Sequence, residues 1–444
     1  MNTSAPRRVT IIGAGIVGLA TALSLQSEGH AVTLIDKREP GMATSFGNAG
    51  AIVSGGVVPT ATPGLWRRVP KMLIDPMSPL TIRWSYLPRL APWLIRFLAA
   101  GRASRALAIS DEIASLTRHC LAAHHRLARM AGAMDVLKTV GWLKVYRDSR
   151  VFAGTAYDRG LMDRAGVVYE VLDADELRQL EPGLSRDFTI GLFQPGASFV
   201  STPFDLSRAY LRTFLARGGR LVQQEVRGFA FEDGQPRIAV TDSGTHSVEV
   251  LVIATGAWSR RLALQLGSRV SLDTERGYHL NLAWGDRPVL NRPTVIGGPQ
   301  FVLCPMADGI RLTAGVELAG LDAAPDFRRI KALIPLAQAA LPGLSGEITR
   351  EWMGFRPSTP DSKPVIGRSP QYRDVYFAFG HGHMGLSLSA ITGQLIAELV
   401  GGRETTAALA PFAVDRFGAA ERTRSRGRAP GADVEGTGRR SGFH

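Results

Sequence analysis

Two sets of residues in this chain have types and spacings suited to chemistry. The first is Gly13-Ala14-Gly15-Ile16-Val17-Gly18, with Asp36 and Lys37 following about twenty residues on. In such a run the first glycine allows a tight turn, the second lets the backbone approach a pyrophosphate, and the third lets a helix pack closely on a sheet. The N–H groups and partial positive charge at the start of that helix suit phosphates, and an acid placed like Asp36 suits ribose hydroxyls. The second set is Gly354-Phe355-Arg356-Pro357-Ser358-Thr359-Pro360-Asp361. Its Arg356 offers the planar two-donor fork that a carboxylate takes. Four more polar or glycine-bearing clusters accompany them: Thr44-Ser45-Phe46-Gly47-Asn48-Ala49-Gly50, Thr255-Gly256, Arg276-Gly277-Tyr278-His279, and Gly382-His383-Met384-Gly385-Leu386.

The elements that must position these residues are readable from periodicity. Val9 to Ile12 reads as a strand, Ile16 to Glu28 as a helix ended by Gly29, and Ala31 to Ile35 as a second strand closing at Asp36. That is a complete βαβ unit in the order a dinucleotide site demands, although it does not separate NAD from FAD. Residues 106–145 read as helical, Asp173–Leu180 as a short helix stopped by Glu181-Pro182-Gly183, and Pro203–Arg217 as another helix. Strands are expected at 220–231, 237–241, 248–254, 278–283, 300–305, 310–316 and 375–379, and helices at 326–340 and 387–400. Residues 418–444 are rich in Arg, Gly and Ser without periodicity and read as a disordered tail.

At 444 residues and 45% hydrophobic, the chain can build two or three cores without staples. Its two cysteines, Cys120 and Cys304, exclude a disulfide scaffold, an iron–sulfur ferredoxin and a cysteine-ligated zinc site. The net charge of +13 is local. Residues 64–105 carry Arg67, Arg68, Lys71, Arg83, Arg89, Arg96, Arg102 and Arg105 against Asp75 alone, and with the tail they account for ten of the thirteen charges. With Trp66, Trp84, Tyr86 and Trp93 interleaved, the 64–105 segment suits an anionic membrane interface or an amphipathic face packed on its own protein. Nucleic acid is not an expected partner, and no run of residues outside the N-terminal glycine segment is long and apolar enough to span a bilayer. His381 and His383 lack a third ligand, so no metal is expected. Hydrolase, zinc-protease and ATPase motifs are missing.

At the quoted motifs the chain resembles the FAD-dependent D-amino-acid oxidase/dehydrogenase superfamily, most of all the bacterial D-amino-acid dehydrogenases. The TSFGNAGA block, the basic Trp-containing region after it, DADELRQLEP, and GFRPSTPDSKPVIG with GHGHMGLSLS carry the resemblance, which runs from Val9 to Phe417. It implies an α/β fold: a Rossmann-type FAD-binding domain with a second α+β substrate domain built on an antiparallel sheet. The expected FAD domain is assembled from 1–60, 185–258 and 354–417, and the substrate domain from 61–184 and 259–353. FAD contacts are expected from Gly13, Gly15, Gly18, Asp36, Lys37, Thr44, Ser45, Asn48, Ala49, Gly50, Val226, Thr255, Gly256, Gly382, His383, Met384, Gly385 and Leu386. The resemblance gives Arg356 the substrate carboxylate and makes Tyr278 or His279 further substrate contacts. The implied reaction is oxidative deamination of a D-amino acid to a 2-oxo acid by hydride transfer to the flavin. Electrons would pass to a quinone or an electron-carrier protein, in the cytoplasm or on the inner face of the cytoplasmic membrane. The alternatives are oxidation of a secondary amino acid (D-proline, D-hydroxyproline or sarcosine), or a FAD-holding subunit of a hetero-oligomer.

Overall fold

The apolar runs at the N-terminus pair as the periodicity requires. In the computed structural model, which describes residues 5–74, 80–285, 290–298 and 300–418, Arg8–Ile12 and Ala31–Asp36 are parallel neighbours flanking the helix Ile16–Ser27. Their sheet runs Arg220–Gln223, Ala31–Asp36, Arg8–Ile12, Val250–Ile253, Val375–Phe379 and Val365–Arg368. The first five strands are parallel and the last is antiparallel to its neighbour. Val250–Ile253 and Val375–Phe379 are buried throughout, as expected of parallel strands covered on both faces. The helix Ile16–Ser27 is apolar nearly all round because it lies between this sheet and the helix Gly385–Val400. Burying Leu19, Leu23 and Leu25 completely contributes about 1.5–3 kcal/mol each.

A second sheet is larger and mostly antiparallel. Its order is Ile348–Ser358, Asp273–Leu282, Gly309–Leu318, Phe301–Met306, Thr294–Ile296, Trp142–Tyr146, Ile190–Gln194 and Glu170–Leu172, with Leu80–Ile82 paired to Val316–Leu318. Among the described residues two three-stranded sheets complete the fold: Val226–Glu232 with Gln235–Thr241 and Thr245–Ser247, and Ala51–Ile52 with Ser198–Val200 and Leu137–Thr139. The segments 185–258 and 354–417, assigned by resemblance to the FAD domain, also supply the larger sheet with Ile190–Gln194 and the end of Ile348–Ser358.

Several local expectations change. The helical reading of 106–145 holds for Ala103–Thr117 and Cys120–Met130, but Leu137–Thr139 and Trp142–Tyr146 are strands. Leu143 and Val145 are buried in the large sheet, so pairing overrides the helical spacing there. The helix expected at 326–340 is two short ones, Arg328–Lys331 and Ile334–Ala340. DADELRQLEP forms a capped helix: Asp173 accepts from the N–H groups of Asp175 and Glu176, while Glu176 accepts from Asp173. Glu181, buried at its end, accepts from the Asn291 backbone and side chain and from Arg292 Nε at 2.6 Å, fastening this helix to the large sheet.

The 64–105 segment packs on the same sheet through more than one strand. Trp93 is buried and its indole N–H donates to the Ser358 carbonyl at 3.1 Å, while Leu90 and Ile82 pack beside Leu318. Trp66, Trp84, Ile95 and Leu98 stay exposed, as do Arg67, Arg89, Arg96, Arg102 and Arg105. The side chains of Arg68 and Lys71, Asp75, and the expected tail beyond Gly418 lie outside the described residues.

Candidate active site

A cavity of about 840 Å³ runs between the two large sheets. One end is made by the βαβ turn. Gly13 sits at φ 107°, a conformation that side-chain-bearing residues rarely adopt, and a Cβ there would stand 2.4 Å from the Ala254 carbonyl oxygen. The turn is therefore closed by the neighbouring strand. Asp36 Oδ2 accepts the Ala14 N–H at 2.7 Å and Oδ1 accepts the Arg38 N–H at 2.9 Å, which fixes the carboxylate in the cavity wall with acceptor capacity remaining. Ser45 Oγ accepts the Ile16 N–H at 3.1 Å, tying the post-strand loop to the first turn of the helix. Gly15, Ile16 and Val17 line the cavity, where the helix presents the positive end of its dipole.

The middle of the cavity is bounded by Thr44, Asn48, Thr255, Gly256 and Trp258, with Gln224, Glu225 and Val226 toward the Asp36 end. Thr44 Oγ1 donates to the Phe355 carbonyl at 2.8 Å, so the loop after Asp36 is pinned to the strand carrying Arg356. Lys37 lines the wall while paired with Glu225 at 2.9 Å. Gly382, Gly385 and Leu386 lie at the start of the last long helix, again with its positive end toward the cavity. The Leu386 carbonyl is held by His124 Nε2 at 2.8 Å, and burial pulls that imidazole down to about 4. His381, also in the wall, bonds Thr392 Oγ1 at 3.0 Å and is pushed down to about 3 by burial.

Arg356 lies at the other end. Its Nη1 donates to the Gly315 carbonyl at 3.0 Å, and its guanidinium rests over Gly277, where a Cβ would come within 2.2 Å of Cζ. Glycine at 277 is thus what allows the guanidinium to lie across the sheet. Burial lowers the Arg356 pKa and the Glu275 charge opposes that. Glu275 stands opposite Arg356 in the strand ladder and takes a 2.7 Å hydrogen bond from His383 Nε2.

Of the expected site residues, Gly13, Gly15, Asp36, Lys37, Thr44, Ser45, Asn48, Val226, Thr255, Gly256, Arg356, Gly382, Gly385 and Leu386 line this cavity. The others are not in its wall. Gly18 packs against the Gly13 carbonyl, Gly50 against the Val200 carbonyl, Ala49 joins the cluster around Phe199, and Met384 packs on Gly56. Tyr278 points to the sheet face away from Arg356. Its hydroxyl donates to Glu317 Oε2 at 2.5 Å and accepts from the Asp326 N–H, within a network in which buried Arg276 binds the carbonyls of Gly320, Ala323 and Ala324. His279 is fully buried, stacks on Trp352 at 5.0 Å and bonds the Gly47 carbonyl at 3.2 Å; burial first, then Arg311, brings its pKa to about 3. Cys304 is buried in the sheet, its thiol pushed up to about 12 by burial.

Sequence reasoning missed Glu275 and the Arg311 anchor, whose Nη1 donates to the Asn48 carbonyl at 2.6 Å. A signal for Glu275 existed. Alternation along Asp273, Glu275, Gly277 and His279 puts polar or small residues on one face, but a strand begun at 278 hides it.

The residues present fit FAD. A Cβ on Gly15 would meet only Ser45 Oγ, at 3.6 Å, so the backbone there is open to a ligand rather than filled by protein. The groups offered are N–H donors at two helix termini and one acceptor carboxylate, all lining the same cavity. No group of three metal-ligating side chains occurs among the described residues.

Comparison with known proteins agrees. The family model for FAD dependent oxidoreductase (DAO) matches residues 8–399. The D-amino-acid oxidase of Bradyrhizobium diazoefficiens is 37% identical over 421 residues, covering 93% of this chain and 99% of that protein. The D-amino acid dehydrogenase of Vibrio vulnificus (strain YJ016) is 30% identical, covering 90% and 97%. Among solved structures, glycine oxidase from Geobacillus kaustophilus superposes with a TM-score of 0.70 at 24% identity over 92% of this chain and 99% of its own. L-proline dehydrogenase from P. horikoshii gives 0.71 at 19% identity, over 93% and 98%. The last two establish the fold alone. The chain belongs to the DAO family of FAD dependent oxidoreductases, and FAD is its cofactor.

Proposed function

We propose that the protein oxidises D-amino acids to imino acids, which water then converts to 2-oxo acids and ammonia. The observation that carries this reading is the Arg356 guanidinium, laid over Gly277 and facing the cavity with most of its donors unused by Gly315. A bidentate guanidinium holds a carboxylate in one orientation, which fixes where the adjacent Cα–H points. FAD, when bound, supplies the acceptor for the hydride. Asp36 would take the ribose, the first turn at Gly15–Val17 the pyrophosphate, and the helix start at Gly382–Leu386 the end of the cofactor nearest Arg356. The substrate gives up its Cα hydrogen with the bonding pair and one N–H proton, so no dedicated base is required. The relatives' names, D-amino-acid oxidase and D-amino acid dehydrogenase, support the substrate class.

The test is anaerobic mixing of the FAD-loaded protein with D-alanine, D-hydroxyproline, sarcosine and L-alanine, read by bleaching of the flavin band. Bleaching by D-alanine supports the reading. Bleaching by only the secondary amines moves the substrate class to those, and a protein bleached by none is a flavin-holding subunit.

For the electrons we propose a quinone or carrier protein reached at a membrane surface. Among the described residues no helix is long and apolar enough to cross a membrane. The exposed Trp66, Trp84, Ile95 and Leu98 amid exposed arginines suit insertion at an anionic interface instead. Vesicles containing anionic lipid are expected to sediment the protein, and Trp66→Ser with Trp84→Ser to abolish this without changing flavin bleaching. Equal binding by the double variant would remove this surface from consideration.

A further inference from the structure

Glu275 is 4% exposed and lies directly opposite Arg356 in the ladder between Asp273–Leu282 and Ile348–Ser358. A carboxylate this deep is costly unless charges and hydrogen bonds face it. Three groups do: His383 from the turn before the last long helix, and Arg356 and Ser358 from the neighbouring strand; Asp273 follows two residues away on the same face. Burial pushes the Glu275 pKa up, but His383, Arg356 and Ser358 outweigh it and hold the pKa below the ordinary value. The carboxylate is therefore ionised beside the guanidinium that faces the cavity.

The geometry divides its attention unevenly. Glu275 Oε2 accepts from His383 Nε2 at 2.7 Å, whereas no ion pair joins Glu275 to Arg356 among the described residues. Arg356 is left with Gly315 as its acceptor. His383 thus holds the buried carboxylate on its own side, next to a helix whose first residues line the cavity.

We propose that Glu275 is a positioning residue that sets how much positive charge Arg356 presents to a substrate carboxylate, with His383 restraining Glu275 from pairing with that guanidinium. This rests on Arg356 being the carboxylate site. Two consequences of opposite sign follow. Removing the Glu275 charge leaves Arg356 wholly available and strengthens carboxylate binding. Removing His383 frees Glu275 to turn to Arg356 and weakens it. A residue that served only packing would move both in the same direction.

The experiment titrates the oxidised, FAD-loaded protein with propionate, which has no amine and cannot turn over, and reads binding from the flavin absorbance. Glu275→Gln is expected to tighten propionate about fivefold and His383→Ala to loosen it about fivefold, the size of a screened interaction between neighbouring charges. His383→Gln, which keeps an N–H donor, is expected to restore much of the loss. His383 is 44% exposed at its side chain, so its variants test the idea even where a change at Glu275 impairs folding. Unchanged affinity in His383→Ala, or shifts of the same sign in both variants, overturns the proposal provided Arg356→Leu abolishes propionate binding. If Arg356→Leu binds propionate normally, the carboxylate site itself has been misplaced and this inference falls with it.

Discussion

The two ends of the cavity are built in different ways. At the Asp36 end the turn, its carboxylate and the hydroxyl that ties the loop to the helix come from the segment from Gly13 to Ser45, with Ala254, Gln224, Glu225 and Val226 completing the wall. At the Arg356 end the participants come from four places: Arg356, Gly277 and Glu275 from two paired strands, Gly315 from a third, and His383 from a turn far along the chain. The first end is a local device whose geometry follows from glycine conformations and a strand–helix–strand order. The second exists only when strands distant in sequence pair in one register. Damage should therefore look different: loss of cofactor at one end, loss of substrate with cofactor retained at the other.

The largest expected effect is at the local end. Gly13→Ala places a Cβ 2.4 Å from the Ala254 oxygen at a φ of 107°. It should purify without flavin and melt at a lower temperature, as measured by the flavin absorbance to protein ratio and by calorimetry. Retention of stoichiometric FAD would break the comparison at its first term.

Arg356→Leu should retain FAD but lose amino-acid binding by roughly a hundredfold or more, the scale of removing one partner of a desolvated charge pair. The saturation curve of anaerobic flavin bleaching measures it. A milder version of the same loss comes from Gly277→Ala, whose new Cβ overlaps the guanidinium at 2.2 Å. About a tenfold rise in KM is expected, with FAD content unchanged, because only the guanidinium's position is disturbed. If kcat falls while KM holds, the strand rather than the arginine has moved.

The smallest effect is on acid stability. Buried His279, His381 and His124 stay neutral in the fold down to about pH 3, 3 and 4, whereas an unfolded histidine titrates near 6.5. Between those values the unfolded chain binds more protons, so stability rises with pH there. It is fully present above about pH 6.5 and declines as the pH falls toward 3–4. His279→Asn should flatten the dependence of Tm on pH in that window by a few degrees, roughly, as seen in melts from pH 7 to pH 4.

Much of the architecture was legible because it rests on local rules. The βαβ start, the capped helix at Asp173, the strand Val375–Phe379 and the last long helix all follow from apolar period, caps and glycine stops. Residues 137–146 were not, since the helical spacing of their apolar residues is overridden by pairing with strands far away. The site divides the same way. Arg356 stands out by type and motif, but Glu275 is an ordinary acid in a strand until the ladder places it across from Arg356. Tyr278 looks equal to its neighbours in sequence. The pleat turns it to the other face, where Glu317 takes its hydroxyl.

By itself the amino-acid order determined the dinucleotide turn, the acid that closes it, the arginine of the 354–361 motif and the concentration of charge in one Trp-rich segment. Those are properties of residue type at short spacing. The tertiary structure alone decided which side chains share the cavity with Arg356, and that within one segment Trp93 is buried while Trp66 and Trp84 stay exposed. Strand register and burial are set by contacts between residues tens to hundreds of positions apart, and no local pattern encodes them.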